Sequence, residues 1–177
     1  MTLKPTTAGR GAGDLCLLLG SLAIAALLAG CASYDGRGLV PGQSRSADVE
    51  ALMGAPTEKV TVAGGDAVWF YPRQPMGRQT FAVRLGPDGV LRGVEQRLTV
   101  QNVGMLRAGT TTTRETRELL GPPWRVVANA RLGGENWDYR MYNDVQKEFN
   151  LSVQFNGAGV VSQVFLLRET VNEPTGM

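Results

Sequence analysis

Side chains that commonly act as nucleophiles or metal ligands are scarce here: the 177 residues include two cysteines, Cys16 and Cys31, and no histidine. That removes the Ser-His-Asp triad and the Cys-His dyad, and leaves the usual zinc ligand sets without members. A carboxylate pair or a Ser-Lys arrangement is formally possible, but no spacing favours either, so no enzyme activity, cofactor or metal is expected. The reactive group with an instructive setting is the Cys31 thiol. It closes the run Leu28-Ala29-Gly30-Cys31, where two small residues let an extended backbone enter a peptidase cleft and the thiol offers a nucleophile able to take up lipid.

The residues before Cys31 explain why that thiol would meet such an enzyme. Lys4 and Arg10 precede an uncharged apolar run of sixteen residues, Leu15 to Gly30. A basic start, an apolar middle and small residues at a cleavage point make a signal-peptide layout. The run is shorter than the ~20 residues a helix needs to cross hydrocarbon, which disfavours a permanent span. The tetrapeptide ending at Cys31 resembles the lipobox of bacterial lipoproteins. The resemblance implies diacylglycerol on the Cys31 thiol, cleavage between Gly30 and Cys31, and acylation of the new amine. Each buried methylene contributes about 0.8 kcal/mol, so two or three acyl chains hold a protein on a membrane where one would be marginal. Ala32 stands where lipoproteins kept in the inner membrane tend to carry Asp, so the resemblance implies an outer-membrane anchor facing the periplasm.

Removal of residues 1–30 leaves 147, enough for one compact core or two small units. Lys4, Arg10 and Asp14 leave with the leader, so 16 basic and 15 acidic side chains remain of 18 and 16, and the mature chain is close to neutral. No basic field points to nucleic acid. With Cys16 discarded and Cys31 lipidated, no disulfide is available, and stability must come from packing.

The elements that would position any site are written twice. Val49, Leu52, Met53, Gly54, Pro56 and Val60 recur as Thr116, Leu119, Leu120, Gly121, Pro123 and Val127 at an offset of sixty-seven. Trp69 and Tyr71 recur as Trp137 and Tyr139 at sixty-eight, and the run from Phe81 to Leu85 recurs from Leu151 to Phe155 at seventy. The drift places short insertions in loops. Each copy opens as a short helix. Ser44 or Ser46, and Thr111 or Thr112, are expected to cap the first turns, with Thr112 and Glu115 at capping-box spacing. Gly54 and Gly121 fit a left-handed cap, and Pro56 and Pro123 keep the helix from resuming. A further helical turn is expected around Asn102 to Leu106.

After each proline the period becomes alternating. Strands are expected over Glu58 to Val62, Ala67 to Tyr71, Gln79 to Leu85 and Val90 to Leu98. In the second copy they are expected over Arg125 to Asn129, Asn136 to Met141, Glu148 to Phe155 and Val160 to Arg168. Short turns between them predict antiparallel meanders, each covered on one face by its helix. The expected fold is thus α+β: two tandem repeats, each a short helix or helix pair packed on a three- or four-stranded antiparallel meander. The first spans 39–100 and the second 101–168, between a lipidated tether, 31–38, and a flexible tail, 169–177.

The capped helix, its Leu-Met-Gly-x-Pro or Leu-Leu-Gly-x-Pro end and the Trp-x-Tyr strand make both copies resemble the SmpA/OmlA, or BamE-like, lipoprotein domain. The helix starts read Gly42-Gln43-Ser44 and Gly109-Thr110-Thr111, and the last strands open with Gly89-Val90 and Gly159-Val160. The resemblance implies an outer-membrane lipoprotein that is no enzyme and acts through protein contacts in envelope maintenance, including assembly of β-barrel proteins. Its partners would be outer-membrane assembly or other envelope proteins. Two units in tandem are also similar to β-lactamase inhibitory protein, which makes a binder or inhibitor of a periplasmic enzyme, gripping it by the concave surface between the repeats, the alternative.

Trp69, Tyr71, Trp137 and Tyr139 could form an aromatic platform, but recurrence at equal places fits a core role, because each helix needs bulky cover. The candidate partner contacts are Arg73 and Arg78, in the loop after Tyr71, and Tyr142 and Asp144, in the Arg140 to Glu148 segment. That segment is expected to be the longest loop of the second copy.

Overall fold

The structure, a computed structural model, describes residues 35–168. Cys31, the cleavage point after Gly30, the leader, the first part of the tether and the tail lie outside the described residues. The chain order is α1 (Ser46–Met53), β1 (Glu58–Thr61), β2 (Ala67–Pro72), β3 (Thr80–Leu85) and β4 (Leu91–Gln96). The second half follows with α2 (Val100–Val103), α3 (Thr113–Leu120), β5 (Arg125–Asn129), β6 (Gly134–Tyr142), β7 (Glu148–Phe155) and β8 (Val161–Arg168). The fold is α+β, with two four-stranded antiparallel sheets in the orders β1-β2-β3-β4 and β5-β6-β7-β8.

The helix ends follow from local chemistry. Thr112 Oγ1 accepts from the Glu115 amide at 3.2 Å while the Glu115 carboxylate accepts from the Thr112 amide at 2.8 Å, closing the expected capping box. At α1 neither serine plays that part. Arg45 occupies the cap position, its amide donates to the Asp48 carboxylate at 2.7 Å, and Ser44 Oγ instead accepts from the Val40 amide at 2.9 Å. The added turn of helix begins at Val100, earlier than the sequence suggested, because Thr99 caps it by accepting from the Asn102 amide at 3.1 Å.

Gly54 and Gly121 do take positive φ, 82° and 81°, but their ψ values are −172° and −174°, so neither is a left-handed helical cap. This extended region of positive φ is essentially reserved for glycine. It sends the chain straight from the helix toward Pro56 or Pro123 and the first strand. The same devices then recur in each half. Ser46 and Thr113 amides donate to Gly89 and Gly159 carbonyls at 3.0 and 2.9 Å, and Gly42 and Gly109 amides to Leu91 and Val161 carbonyls at 2.8 Å. A register shift interrupts β3–β4 at Arg84/Leu85 and β7–β8 at Gln154/Phe155.

One face of each sheet carries a core. Trp69, Tyr71, Val83, Leu85 and Leu91 pack with Val49 and Met53 of α1. Trp137, Tyr139, Met141, Leu151, Val153 and Phe155 pack with Leu120 of α3. The four repeated aromatics are therefore core residues. The first sheet is buried on its second face as well, where Val68, Phe70 and Ala82 form a separate cluster. What lies against that face belongs to the second half: a β-carbon on Gly121 would fall 2.6 Å from Thr80 Cγ2 and 3.1 Å from Phe70 Cδ1.

Candidate functional site

Because the first sheet backs onto the α3 region, an open groove of about 540 Å³ runs between the two halves. Val60, Val62, Val68 and Phe70 of the first half and Leu119 of the second give it an apolar floor, and Arg84, Arg97, Glu115 and Glu118 stand around it. Met105 lies at its mouth, 45% exposed. Alternation sets the floor: Val60 pairs with Val68, and Phe70 with Ala82, so their side chains share the face opposite the Trp69 core.

Polar contacts join the halves and tie each helix to its sheet. The Arg117 guanidinium lies 4.8 Å from the centroid of its own half's Trp137 and donates to Glu58 of the first half. Asn102 Nδ2 donates to the Arg97 carbonyl at 2.7 Å and to the Leu119 carbonyl at 3.2 Å, tying β4's exit to the end of α3. Tyr139 donates to the Gly121 carbonyl at 3.1 Å and Tyr71 to the Gly54 carbonyl at 3.2 Å, so each helix end is tied to its sheet. Burial, with a smaller contribution from the Glu50 charge, pushes Tyr71 up to about 12. Burial likewise raises Tyr139 above the ordinary tyrosine range. The Thr112 amide, and then its hydroxyl, hold the Glu115 carboxyl below the usual carboxylate range.

These contacts hold the helix ends on their sheets and join the two halves. Among the described residues no three acidic, cysteine or histidine side chains come together as a metal set. No helix of the described residues is long and apolar enough to cross a membrane. The raised tyrosines donate to helix-end carbonyls and do not face the groove floor.

The four residues singled out as partner contacts fall on two hairpins. Arg73 is exposed after β2. Arg78 is 9% exposed; it donates to the Pro75 carbonyl at 3.0 Å and to Glu148 at 2.8 Å. Tyr142 is half-buried at the end of β6 and Asp144 is exposed in the following turn. The Arg78–Glu148 pair, with Gln74 Oε1 accepting from the Arg140 amide at 2.6 Å, joins the β2–β3 hairpin to the β6–β7 hairpin. The Arg140 to Glu148 segment is no long loop. Strand β6 continues to Tyr142, and Asn143 closes a tight turn by accepting from the Val145 and Lys147 amides at 3.1 and 2.8 Å.

Sequence reasoning placed a concave surface between the repeats in its inhibitory alternative but named none of the groove's lining residues, and it missed an exposed apolar edge on the second sheet. Phe165, Leu166 and Leu167 of β8 are 37, 39 and 61% exposed. Comparison of the two copies at offset seventy carries the signal: Glu95 and Arg97 correspond to Phe165 and Leu167.

No protein-family model matches the chain, and comparison with curated proteins finds no match. Among solved structures, the crystal structure of a DUF4309 family protein (YjgB) from Bacillus subtilis aligns over 75% of this chain and 84% of its own. The identity is 21% and the TM-score 0.29.

Proposed function

We propose that this chain is an outer-membrane lipoprotein, anchored through acyl chains on Cys31 and facing the periplasm. In this reading its folded part is a tandem of two BamE-like units acting through protein contacts in envelope maintenance, within the assembly of β-barrel proteins. The observation that carries the contact role is the groove between the halves. An apolar floor ringed by Arg84, Arg97, Glu115 and Glu118 has the anatomy of a protein-recognition surface, an apolar centre with a polar rim. The paired helix-on-meander units and the lipobox-like run before Cys31 support the remainder.

The same groove favours a second reading, a binder or inhibitor of a periplasmic enzyme, since it lies between the two units, where the inhibitory reading places its grip. A photo-reactive residue at Met105 in intact cells separates the two. Recovery of barrel-assembly subunits supports the first; recovery of a single soluble enzyme supports the second. Cross-links to neither class would sink both.

A further inference from the structure

The face of the second sheet that looks away from α3 inverts the chemistry of the same face on the first. At matching places of the two copies Phe70 is answered by Asp138, Thr80 by Asn150 and Ala82 by Ser152, whereas Glu95 is answered by Phe165 and Arg97 by Leu167. Thr57, ahead of β1, is answered by Trp124, ahead of β5. The first sheet thus has an apolar floor between charged flanks, and the second has a polar floor between apolar flanks. That polar floor spans neighbouring strands. Asp138 pairs with Arg125 on one side and Ser152 on the other, Arg140 pairs with Asn150, and Ser152 and Asn150 pair with Phe165 and Leu167.

Trp124, Arg125, Asp138, Asn150, Ser152 and Leu167 line a depression of about 380 Å³ on this face, within the ~300–1,000 Å³ of small-ligand sites. Its ionic groups are engaged within the protein. Arg125 Nε and Nη2 donate to Asp138 Oδ2 at 2.8 and 2.6 Å, and the Arg140 guanidinium donates to the Pro75 carbonyl at 3.4 Å. The Arg125 guanidinium also lies 4.9 Å from the centroid of the Trp124 ring, which stands 39% exposed. We infer that the depression binds a neutral oligosaccharide, with one face of a pyranose ring on the Trp124 indole and its hydroxyls bonding with Asp138, Asn150 and Ser152. A pyranose carries C–H groups on its faces and hydroxyls around its edge, so it needs a flat apolar surface beside hydrogen-bonding groups. An ionic ligand would meet charges already paired. A wholly apolar one would strip water from the floor without replacing its hydrogen bonds, which is costly. Protein-recognition surfaces have an apolar centre and a polar rim, as the groove does, and this face has the reverse.

This site goes beyond the contact role of the groove and shares no residue with it. The test uses the full chain, purified in a detergent without a sugar headgroup and titrated with cellotetraose and with the tetramer of N-acetylglucosamine. The two share the pyranose chemistry and differ in the acetamido group, so a response to either supports the inference and tells which sugar the site takes. Trp69 and Trp137 are buried, which makes Trp124 the tryptophan that acrylamide quenches most readily. Expected is a saturable loss of that quenching as the sugar is added. By calorimetry, Trp124→Ala should weaken binding about tenfold and Asn150→Ala about fivefold. Asn150 is exposed in the middle of the face, so its variant should keep the wild-type circular dichroism and melting temperature even if Trp124→Ala does not. Absence of a saturable response to both sugars overturns the inference. So does binding that both variants leave intact, or protection of Trp124 by tetra-alanine in place of sugar, which would make the face a peptide site.

Discussion

The Tyr139 hydroxyl donates to the Gly121 carbonyl oxygen across 3.1 Å, in a position with no measurable exposure, and thereby ties the end of α3 to the middle of β6. The matching bond from Tyr71 to Gly54 spans 3.2 Å and is slightly less buried. A buried acceptor that loses its donor costs about 1–3 kcal/mol, because desolvation is no longer offset. Tyr139→Phe should lower the unfolding free energy measured by urea titration by an amount within that range, with an unchanged slope. Tyr71→Phe should lower it by less, and equal losses would contradict the difference in burial.

The same two phenols set the alkaline limit of stability. Burial raises both above their ordinary value, Tyr71 to about 12 and Tyr139 further. In the unfolded chain they ionise near pH 10. The unfolded state therefore releases these protons first. The stability they contribute is complete below about pH 10 and is lost as pH rises through the folded values. Unfolding midpoints followed upward from about pH 9 should decline once pH 10 is passed. Tyr139→Phe should flatten that decline; a slope equal to wild type would count against the assignment.

Gly54 and Gly121 provide a test of the packing between halves. Both hold φ near 82° with extended ψ, so alanine at either position carries a backbone cost of about 1–3 kcal/mol. At Gly54 a β-carbon would meet nothing within 4 Å, whereas at Gly121 it would strike Thr80 and the Phe70 ring. Gly121→Ala should therefore destabilise by roughly 1 kcal/mol or more beyond Gly54→Ala, as overpacking does. Thermal melts of the two single variants decide it, and a smaller loss at Gly121 would mean the first sheet does not rest there.

Several of these elements could be read before any coordinates. The Gly-x-Pro helix ends and the Trp-x-Tyr strands are local signals, because glycine's conformational range and proline's missing N–H act within a few residues. Strand β6 alternates, with Trp137, Tyr139 and Met141 inward and Asp138 and Arg140 outward, which marks a sheet buried on one face. Strand β2 reads Ala67-Val68-Trp69-Phe70-Tyr71, an unbroken apolar run of the kind that is covered on both faces. That contrast contained the stacking of the halves, but periodicity alone names no covering element. Arg78 was unreadable for a related reason: a guanidinium looks equally suited to solvent and to Glu148 until the two hairpins are placed side by side.

The Arg78–Glu148 pair reports on that placement. Its atoms are 2.8 Å apart, with Arg78 buried and Glu148 about 42% exposed, so solvent screening limits its worth. In a double-mutant cycle, Arg78→Ala and Glu148→Ala should show a coupling of about 0.5–1 kcal/mol. Arg78→Ala alone should cost more than Glu148→Ala, since it also abandons the Pro75 carbonyl. Additive losses would mean the hairpins do not communicate through this contact.

The anchor is testable without reference to any contact surface. If Cys31 carries lipid, Cys31→Ser removes the sulfur on which processing depends, and the leader from Met1 to Gly30 should remain attached. Mass spectrometry of the wild-type protein from membranes should then find an acylated amino-terminal peptide beginning at Cys31, and the variant should yield an unmodified peptide upstream of it. Acyl chains contribute about 0.8 kcal/mol per buried methylene, so the wild-type protein should stay with membranes through an alkaline carbonate wash. Cys16 supplies the control: it lies within the apolar run and lacks the Leu-Ala-Gly approach, so Cys16→Ser should be processed like wild type. An unmodified, uncleaved wild-type amino terminus would overturn the lipid anchor and leave the apolar leader as the segment to be tested for membrane binding.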